Sequence, residues 1–379
     1  MSSPLNWNRA ATSAAPFPGV EEALVEGLHA LPADRGAHGP STKERLFAVR
    51  VRAAEIFGFS FPERVIFTPG ATYGLNFAVS QGIKDGAHVL ASAAEHNSML
   101  RPLHYAKERG VTFEVIPFRE DGRLDLQKLA DAFATGKASW LTLCVASNTM
   151  GIVQPYVEAC ALAQKAGVSV ILDMSQGGGH VPIDLDSLGV AYAAIAGHKG
   201  LHATRGIGLM FVGKDQNPKP MIQGGTGTEG TLLEMPTELP GCLEAGTSNY
   251  PGMFAMGAAL DWLAMHPQDL NPIRAKLKKL EAWCRKQPGL EVLPKEPCDW
   301  SLRLAILALK PTEFPPELMA QFMAQLGITV RAGSMCTTQV LPSVGAKDGL
   351  LRLSPPLDAS EEDFIRVQNA LEQSLAAFA

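Results

Sequence analysis

The segment 168-VSVILDMSQGGGHVPIDLDSLGVAYAAIAGHKGLHATRGIGLMF-211 contains three apolar runs, each about as long as a β-strand. The first run ends in Asp173, the second ends in Gly197-His198-Lys199, and the third begins at Gly206. Short apolar runs without polar alternation are typical of strands that are buried on both faces of a sheet. Ligands gather at the carboxyl ends of such strands. The segment therefore predicts that Asp173 and Lys199 face one pocket.

An acid after one strand and a lysine after the next form the pair that pyridoxal 5'-phosphate (PLP) chemistry requires. The lysine amine binds the cofactor aldehyde covalently, and the carboxylate keeps the pyridine nitrogen protonated so that the ring accepts electrons. Taken alone, Asp173 and Lys199 are also typical of a helix cap and a solvated loop end. The choice between these interpretations depends on the rest of the chain.

Other polar residues follow predicted strands in the same way. Thr72 comes shortly after the strand expected over residues 64–68, and His96 and Asn148 follow later apolar runs. Helical patterns separate these strands, and the first of them begins at Ser41, which has capping-box spacing to Glu44. The alternation predicts an α/β fold with a mostly parallel sheet covered by helices on both faces. One pocket is expected to collect these polar residues with Asp173 and Lys199.

The chain is long enough for more than one domain. We expect residues 1–20 to form an irregular N-terminal arm that packs with a small domain. Residues 21–250 are expected to form the large domain. Residues 251–379 are expected to form a smaller α+β domain, with one strand over residues 301–309.

Composition excludes several classes of function. The 379 residues include 33 Lys and Arg against 38 Asp and Glu, a net charge of -5, so no broad basic surface for nucleic acid is expected. The first residues show no basic segment followed by an apolar one, and no apolar run is long enough to span a bilayer. We therefore expect a cytoplasmic protein without membrane contact.

The cysteines argue against a structural metal or a disulfide framework. There are six, and they form no CxxC pair and no spaced Cys/His set: Cys144, Cys160, Cys242, Cys284, Cys298 and Cys336. We predict separate thiols and no metal site. Cys144 and Cys160 fall in apolar runs and are expected in the core.

Two glycine-containing turns suggest anion binding. A strand, Pro69-Gly70-Ala71-Thr72 and a helix would present main-chain N–H groups and the Thr72 hydroxyl to a phosphate; the alternative is a plain strand-to-helix turn. Gly177-Gly178-Gly179 resembles a dinucleotide-binding turn only loosely, because it lacks GxGxxG spacing. The first turn is therefore the better candidate for a phosphate site.

Read together, these segments resemble the class V aminotransferase group of fold-type I PLP enzymes, most closely the cysteine desulfurase and selenocysteine lyase proteins. The resemblance covers nearly the whole chain, in the family's order. The matching motifs are Arg9-Ala10-Ala11-Thr12, Gly70-Ala71-Thr72, Glu95-His96-Asn97-Ser98, Ser147-Asn148, Asp173-Met174-Ser175-Gln176, Gly197-His198-Lys199, Glu244-Ala245-Gly246-Thr247-Ser248-Asn249, Arg331-Ala332-Gly333-Ser334-Met335-Cys336 and Arg352-Leu353-Ser354. The set implies a fold-type I PLP-dependent transferase.

The resemblance also implies roles for individual residues in cofactor binding. Lys199 would be the cofactor lysine and Asp173 the partner of the pyridine nitrogen. His96 would stack on the ring and move protons, and Thr247 would reach the phosphate from the other subunit of a homodimer. The full implied set of PLP-binding residues is Ala71, Thr72, His96, Asn148, Asp173, Gln176, His198, Lys199 and Thr247.

On the substrate side, the resemblance implies that Arg352 grips the carboxylate of an amino acid in a two-pronged contact, with Asn148 beside it. The family's cysteine corresponds to Cys336, which would attack the substrate sulfur and hold it as a persulfide while alanine is released. This makes Lys199, Cys336 and His96 the implied catalytic residues. A sulfur-acceptor protein is a possible partner, and Cys242 is the one rival thiol.

The sequence departs from the family at several of these positions. Asn8-Arg9 stands where family members commonly carry Asp-Asn, Ala196 replaces a serine that donates to the phosphate, and Met335 precedes the cysteine in place of a histidine. Arg205 is a candidate to replace the lost phosphate contact. The alternatives to desulfuration are therefore transamination and a β-elimination that releases sulfide. A non-catalytic binding protein is disfavoured, since it would not need an electron-sink set of residues.

Overall fold

The computed structural model describes residues 3–30, 41–226, 231 and 233–378. The strands are β1 (Leu5–Asn6), β2 (Val65–Thr68), β3 (His88–Ser92), β4 (Thr112–Ile116), β5 (Trp140–Cys144), β6 (Ser169–Asp173), β7 (Tyr192–Ala196), β8 (Gly208–Val212), β9 (Leu290–Leu293), β10 (Leu307–Pro311), β11 (Ile328–Thr329), β12 (Arg331–Gly333) and β13 (Leu350–Leu353). The helices are α1 (Val20–Leu28), α2 (Thr42–Ile56), α3 (Ala71–Phe77), α4 (Asn97–Ala106), α5 (Leu126–Ala134), α6 (Tyr156–Ala166), α7 (Leu185–Leu188), α8 (Tyr250–Met265), α9 (Asn271–Cys284), α10 (Pro316–Gln325), α11 (Val340–Ser343) and α12 (Glu361–Phe378).

A seven-stranded sheet in the order β2-β8-β7-β6-β5-β3-β4 forms the centre of the large domain. The pairings from β7 through β6, β5 and β3 to β4 are parallel, whereas β8 runs antiparallel to both of its neighbours. Along β6, Val170 and Leu172 enter one buried cluster and Ile171 enters the cluster on the other face. Both faces are therefore covered, and the predicted mostly parallel α/β fold is confirmed.

The first helix predicted from capping residues is confirmed in detail. Ser41 caps α2, its hydroxyl accepts from the main-chain N–H of Glu44, and the Glu44 carboxylate accepts from the Ser41 N–H. The paired contacts satisfy two donors that a helix N-terminus otherwise leaves free. The sequence thus determines where this helix begins.

The small domain contains a four-stranded antiparallel sheet in the order β12-β13-β10-β9. The arm joins it, because β1 pairs in parallel with β11 and the buried Trp7 ring lies 4.7 Å from that of Phe364. The prediction of a strand over residues 301–309 is wrong at its start. Residues 300–302 form a helical turn in which the Asp299 carboxylate accepts from the Ser301 N–H, and β10 begins only at Leu307.

Helix α8 packs with the large domain. Gly27 of α1 approaches it so closely that an added β-carbon would lie 2.5 Å from the Pro251 Cα. Gly257 of α8 lies against Val49 of α2 in the same way. The buried residues of α8 join the cluster on one face of the large sheet. We therefore propose a boundary after Met265 in place of the expected one after residue 250.

Two further properties concern the described residues alone. None of their helices is both long enough and apolar enough to cross a membrane. They also contain no group of three His, Cys, Asp or Glu side chains placed to hold a metal ion.

Candidate active site

A cavity of about 440 Å³ lies at the carboxyl ends of the central strands. The strand ends and the turns that follow them bring the polar side chains to this edge, as the parallel topology requires. Eight of the residues expected to bind PLP line it: Ala71, Thr72, His96, Asn148, Asp173, Gln176, His198 and Lys199. Arg205, suggested as a replacement phosphate contact, also lines the cavity.

Asp173 and Lys199 face this cavity from neighbouring strands. Asp173 ends β6 and is buried, and its Oδ1 accepts a 2.8 Å hydrogen bond from the Ser175 N–H. Lys199 follows β7 and is half-buried. Burial lowers the pKa of the Lys199 amine and so does the charge of Arg352, whereas Asp173 and Cys336 oppose the shift. A lowered pKa increases the neutral fraction of the amine, which is its nucleophilic form.

A second carboxyl group, Glu95, lies behind the cavity. It is completely buried, and neither of its oxygens has a hydrogen-bond partner among the described residues. Burial raises the pKa of Glu95 well above its ordinary value, and the charge of Asp173 adds to the shift. This shift favours the neutral form of the Glu95 carboxyl group, which adds no negative charge beside Asp173.

The phosphate side of the cavity is built on a close approach of two glycines. An added β-carbon on Gly208 would lie 2.8 Å from the Cα of Gly70, which precedes Ala71 and Thr72. His198 also lines the cavity, and its Nδ1 lies 3.1 Å from the Thr12 hydroxyl of the N-terminal arm. Burial lowers the pKa of His198, and Lys199 and Arg205 lower it further. Arg205 therefore supplies a positive charge near the expected phosphate position.

His96 lies at the N-terminus of α4. Its Nδ1 accepts a 3.0 Å hydrogen bond from the Ser98 N–H and lies 2.9 Å from the Ser98 hydroxyl. The Ser98 hydroxyl is in turn 2.9 Å from that of Thr72. Burial and the positive charges nearby lower the pKa of His96. The ring is therefore held in place and kept neutral.

Arg352 lies on β13, beside the cavity, and is 4% exposed. Its guanidinium donates to the Asn148 carbonyl at 2.7 Å and to the Asn8 Oδ1 at 3.0 Å, and its Nε has no partner. Burial and Arg331 lower its pKa to about 10, against the opposing effect of Cys336. Its two acceptors, the Asn148 main-chain carbonyl and the Asn8 side chain, carry no negative charge. This buried cation is therefore uncompensated within the described residues.

Cys336 lies on an exposed turn after β12, and the turn is tied to the large domain. Its carbonyl accepts from the Asn97 N–H at 3.0 Å, and the Met335 carbonyl accepts from the Asn148 Nδ2 at 2.8 Å. Met335 and Cys336 have φ angles of 53° and 56°, a conformation that costs free energy for residues other than glycine. Two hydrogen bonds and the buried Met335 side chain hold this conformation.

The other cysteines are buried, whereas Cys336 is exposed. Cys242, the rival thiol, is 4% exposed, and burial is the main cause that raises its pKa. Cys144 is in the core as expected and also lines the cavity, where burial raises its pKa well above the ordinary value. A raised pKa suppresses the thiolate, so Cys336 is the better placed nucleophile.

Thr247 does not line the cavity of its own chain. It lies in a separate hollow with Tyr73 and Gly206. Its loop is fixed by Glu244, whose carboxylate forms a buried ion pair with Arg50 at 2.7 Å and accepts from the Phe67 N–H. The contact of Thr247 with a phosphate in a second subunit stays a prediction.

Several residues that complete the site had no role in the prediction from sequence. Asn8 holds Arg352, Thr12 holds His198, and Ser98 holds His96. Thr12 and Ser98 lie inside motifs quoted above, so their positions carried a signal, although their contacts did not. Glu95 lies in the same motif as Ser98.

The family model for "Aminotransferase class-V" matches residues 8–367. A cysteine desulfurase from Cronobacter sakazakii is 28% identical over 365 residues, which cover 91% of this chain and 84% of that protein. The cysteine desulfurase CsdA of Escherichia coli is 28% identical over 346 residues, 87% of this chain and 83% of that one. The similarity thus runs through both domains.

Solved structures are similar over nearly the whole chain. The apo structure of a cysteine desulfurase from Thermococcus onnurineus has a TM-score of 0.87 at 23% identity, covering 99% of this chain and 95% of that chain. A crystal structure of CsdA from Escherichia coli has a TM-score of 0.84 at 25% identity, covering 99% and 96%. At 23% identity, the similarity to the Thermococcus onnurineus structure establishes the fold alone.

Proposed function

Because the chain belongs to the class-V aminotransferase family, we propose that it is a PLP-dependent cysteine desulfurase-like enzyme. It removes the sulfur or selenium atom of L-cysteine or a related amino acid, releases alanine and passes the sulfur to Cys336. The observation that carries the proposal is the buried Arg352, which has no carboxylate partner among the described residues and is close enough for its charge to affect Lys199. A binding site for an amino acid carboxylate supplies the negative charge that this guanidinium lacks.

PLP is the cofactor of this family, and the cavity fits it. The Asn148 Oδ1 is buried at the wall and has no partner among the described residues, so it is free to accept from a bound ligand. Lys199 would hold the aldehyde carbon, Asp173 the ring nitrogen, and Thr72, His198 and Arg205 the phosphate. When bound, PLP supplies an electron sink for the α-carbon of the substrate.

The residues of the chain supply binding and proton transfer. Arg352 binds the substrate carboxylate and thereby fixes the α-carbon beside Lys199. The lowered pKa of Lys199 increases the neutral fraction of its amine, the form in which Nζ can accept the α-proton. Asp173 would pair with the ring nitrogen, and the raised pKa of Glu95 favours the neutral form of this second carboxyl group.

Cys336 carries the sulfur transfer. The electron pair of its thiolate forms a bond to the substrate sulfur, and the bond between that sulfur and the β-carbon breaks. The electron pair of the broken bond stays on the β-carbon, which takes a proton and becomes the methyl group of alanine. The sulfur remains on Cys336 as a persulfide, and the hydrogen bonds from Asn97 and Asn148 orient the turn for this attack.

We also propose a homodimer in the cytoplasm that hands its sulfur to an acceptor protein. Thr247 lies in a hollow that adjoins its own cavity, does not line that cavity and is exposed. This position supports the dimer, because an exposed hydroxyl there is available to a neighbouring subunit. The exposure of Cys336 supports the acceptor, because a persulfide there is open to a second protein.

Product analysis with L-cysteine tests the activity. The proposal expects one alanine for each sulfur released, with a persulfide on the protein in the absence of reductant. Pyruvate with sulfide would identify a β-elimination, and amino-group exchange with a keto acid would identify a transaminase. Either of these results would overturn the desulfurase assignment.

A further inference from the structure

Ser98 contacts His96 through both its main chain and its side chain. The main-chain N–H of Ser98 donates to the His96 Nδ1 at 3.0 Å. An amide N–H is only a donor, so Nδ1 must present a lone pair. A neutral imidazole carries one proton, which is therefore on Nε2. Because Nδ1 faces Ser98, Nε2 is the nitrogen that remains for the cavity that His96 lines.

The helix fixes this arrangement. His96 is the N-cap of α4, a ten-residue helix, and takes the place that a serine or aspartate acceptor usually has. The partial positive charge of the helix N-terminus disfavours a charged ring. The neighbouring charged groups act in the same sense overall: Lys199, Arg101 and Arg352 lower the pKa of His96, and only Asp173 raises it.

The hydroxyl of Ser98 extends the contact to the phosphate side. It lies 2.9 Å from Nδ1 and 2.9 Å from the hydroxyl of Thr72. Since Nδ1 is an acceptor, the Ser98 hydroxyl is the donor to it, and its oxygen is left to accept from Thr72. Thr72 has a single proton, which goes either to Ser98 or to a phosphate. When Thr72 donates to Ser98, the three residues form one hydrogen-bonded chain from the phosphate side to the ring.

We propose that Ser98 is a positioning residue that fixes His96 as a neutral imidazole with its proton on Nε2 and links that ring to Thr72. His96 then enters the reaction as a hydrogen-bond donor to an electron-rich atom of the substrate, and not as the resting base. A neutral imidazole at a helix N-terminus can polarise such an atom without transferring its proton. The inference rests on the proposed function in one respect: it takes the substrate to lie beside His96.

The test is long-range proton–nitrogen NMR on the PLP-loaded, full-length protein with ¹⁵N-labelled histidine. His96→Gln assigns the His96 signals. In the wild type we expect the pattern of a ring protonated on Nε2 alone, unchanged between about pH 6 and 8. Ser98→Ala should raise the pKa of His96 by about half a unit to one unit, because the neutral ring loses one donor. Ser98→Thr keeps the hydroxyl and should match the wild type.

Two results would overturn the proposal. One is a wild-type ring with its proton on Nδ1. The other is a Ser98→Ala protein whose His96 tautomer and pKa match the wild type. If Ser98→Ala fails to fold, the wild-type spectrum alone still decides. No turnover is measured, so an enzyme that makes pyruvate in place of alanine would contradict the proposed function and leave this result unaffected.

Discussion

The cofactor cavity and the Cys336 turn belong to one site but are built differently. The cavity collects side chains from the ends of several parallel strands whose register fixes their positions, among them Asp173 on β6 and Lys199 after β7. The Cys336 turn has two residues in a left-handed conformation and is held by single hydrogen bonds to Asn97 and Asn148. Cofactor chemistry thus rests on the whole sheet, whereas sulfur transfer rests on a few local contacts.

The difference has a consequence for substitutions. A change at the cavity should affect every reaction of a PLP enzyme, because all of them need the electron sink. A change at the turn should affect sulfur transfer alone. The departures from the family are found in both regions, at Ala196 in the cavity and at Met335 beside Cys336. Arg205 lines the cavity with Ala196 and is a candidate to compensate for the missing serine, while Met335 is held by its own burial and by the hydrogen bond from Asn148.

The largest effect is expected at the cavity. Lys199→Ala should lower turnover by more than about a thousandfold, since it removes both the covalent link to PLP and the base. Borohydride should fix PLP to the wild type and not to the variant, which intact-mass measurement detects. Lys165→Ala, an exposed lysine on α6, is the control and should retain the link. A Lys199→Ala protein that keeps PLP covalently bound would break the assignment.

Arg352→Lys should lower kcat/KM for L-cysteine by about 10- to 150-fold, because an ammonium cannot make the paired contact to a carboxylate. The loss should appear mainly in KM. Arg331→Lys tests the same change on the opposing residue of β12, which is exposed, and should stay close to the wild type. Equal losses in the two variants would show that Arg352 is not specific for the carboxylate.

The pH dependence of stability probes the packing around His180, whose ring lies next to Gly200, the residue after Lys199. His180 follows β6, and burial lowers its pKa to about 4, with smaller contributions from His202 and Arg274. The unfolded chain then binds a proton that the folded one excludes, so stability falls as pH drops from about 6.5 towards 4. Between pH 7 and 5 the loss should be at most about 2 kcal/mol. Denaturant unfolding of His180→Gln should show a smaller loss, and an identical pH profile would contradict the assignment.

The smallest effect is expected from the loop outside the cavity. Thr247→Ala should weaken PLP binding by about fivefold, the value of one hydrogen bond, if the loop reaches a phosphate in the second subunit. Ser248→Ala is the neighbouring control. Equilibrium dialysis measures the affinity, and sedimentation measures the assembly. A stable monomer that binds PLP as tightly as the wild type would remove this role of Thr247.

The sequence predicted the cavity better than the contacts around it. Asp173 and Lys199 could be placed because strand periodicity and strand ends are local patterns. The bond between Asn8 and Arg352 joins residues far apart in the chain, and no periodicity reports it. The same holds for Gly27 against Pro251, which joins α8 to the large domain. Likewise, the burial that raises the pKa of Glu95 follows from packing on all sides, which the local sequence pattern does not report.

The measurement that tests the central claim most directly is the product ratio of Cys336→Ala with L-cysteine. The account predicts unchanged PLP binding and a loss of alanine formation of more than about a hundredfold, since only the nucleophile is removed. Cys242→Ala, with its buried thiol, should form alanine as the wild type does. Wild-type alanine turnover by Cys336→Ala would contradict the persulfide mechanism, and its loss in Cys242→Ala would move the sulfur acceptor to that residue.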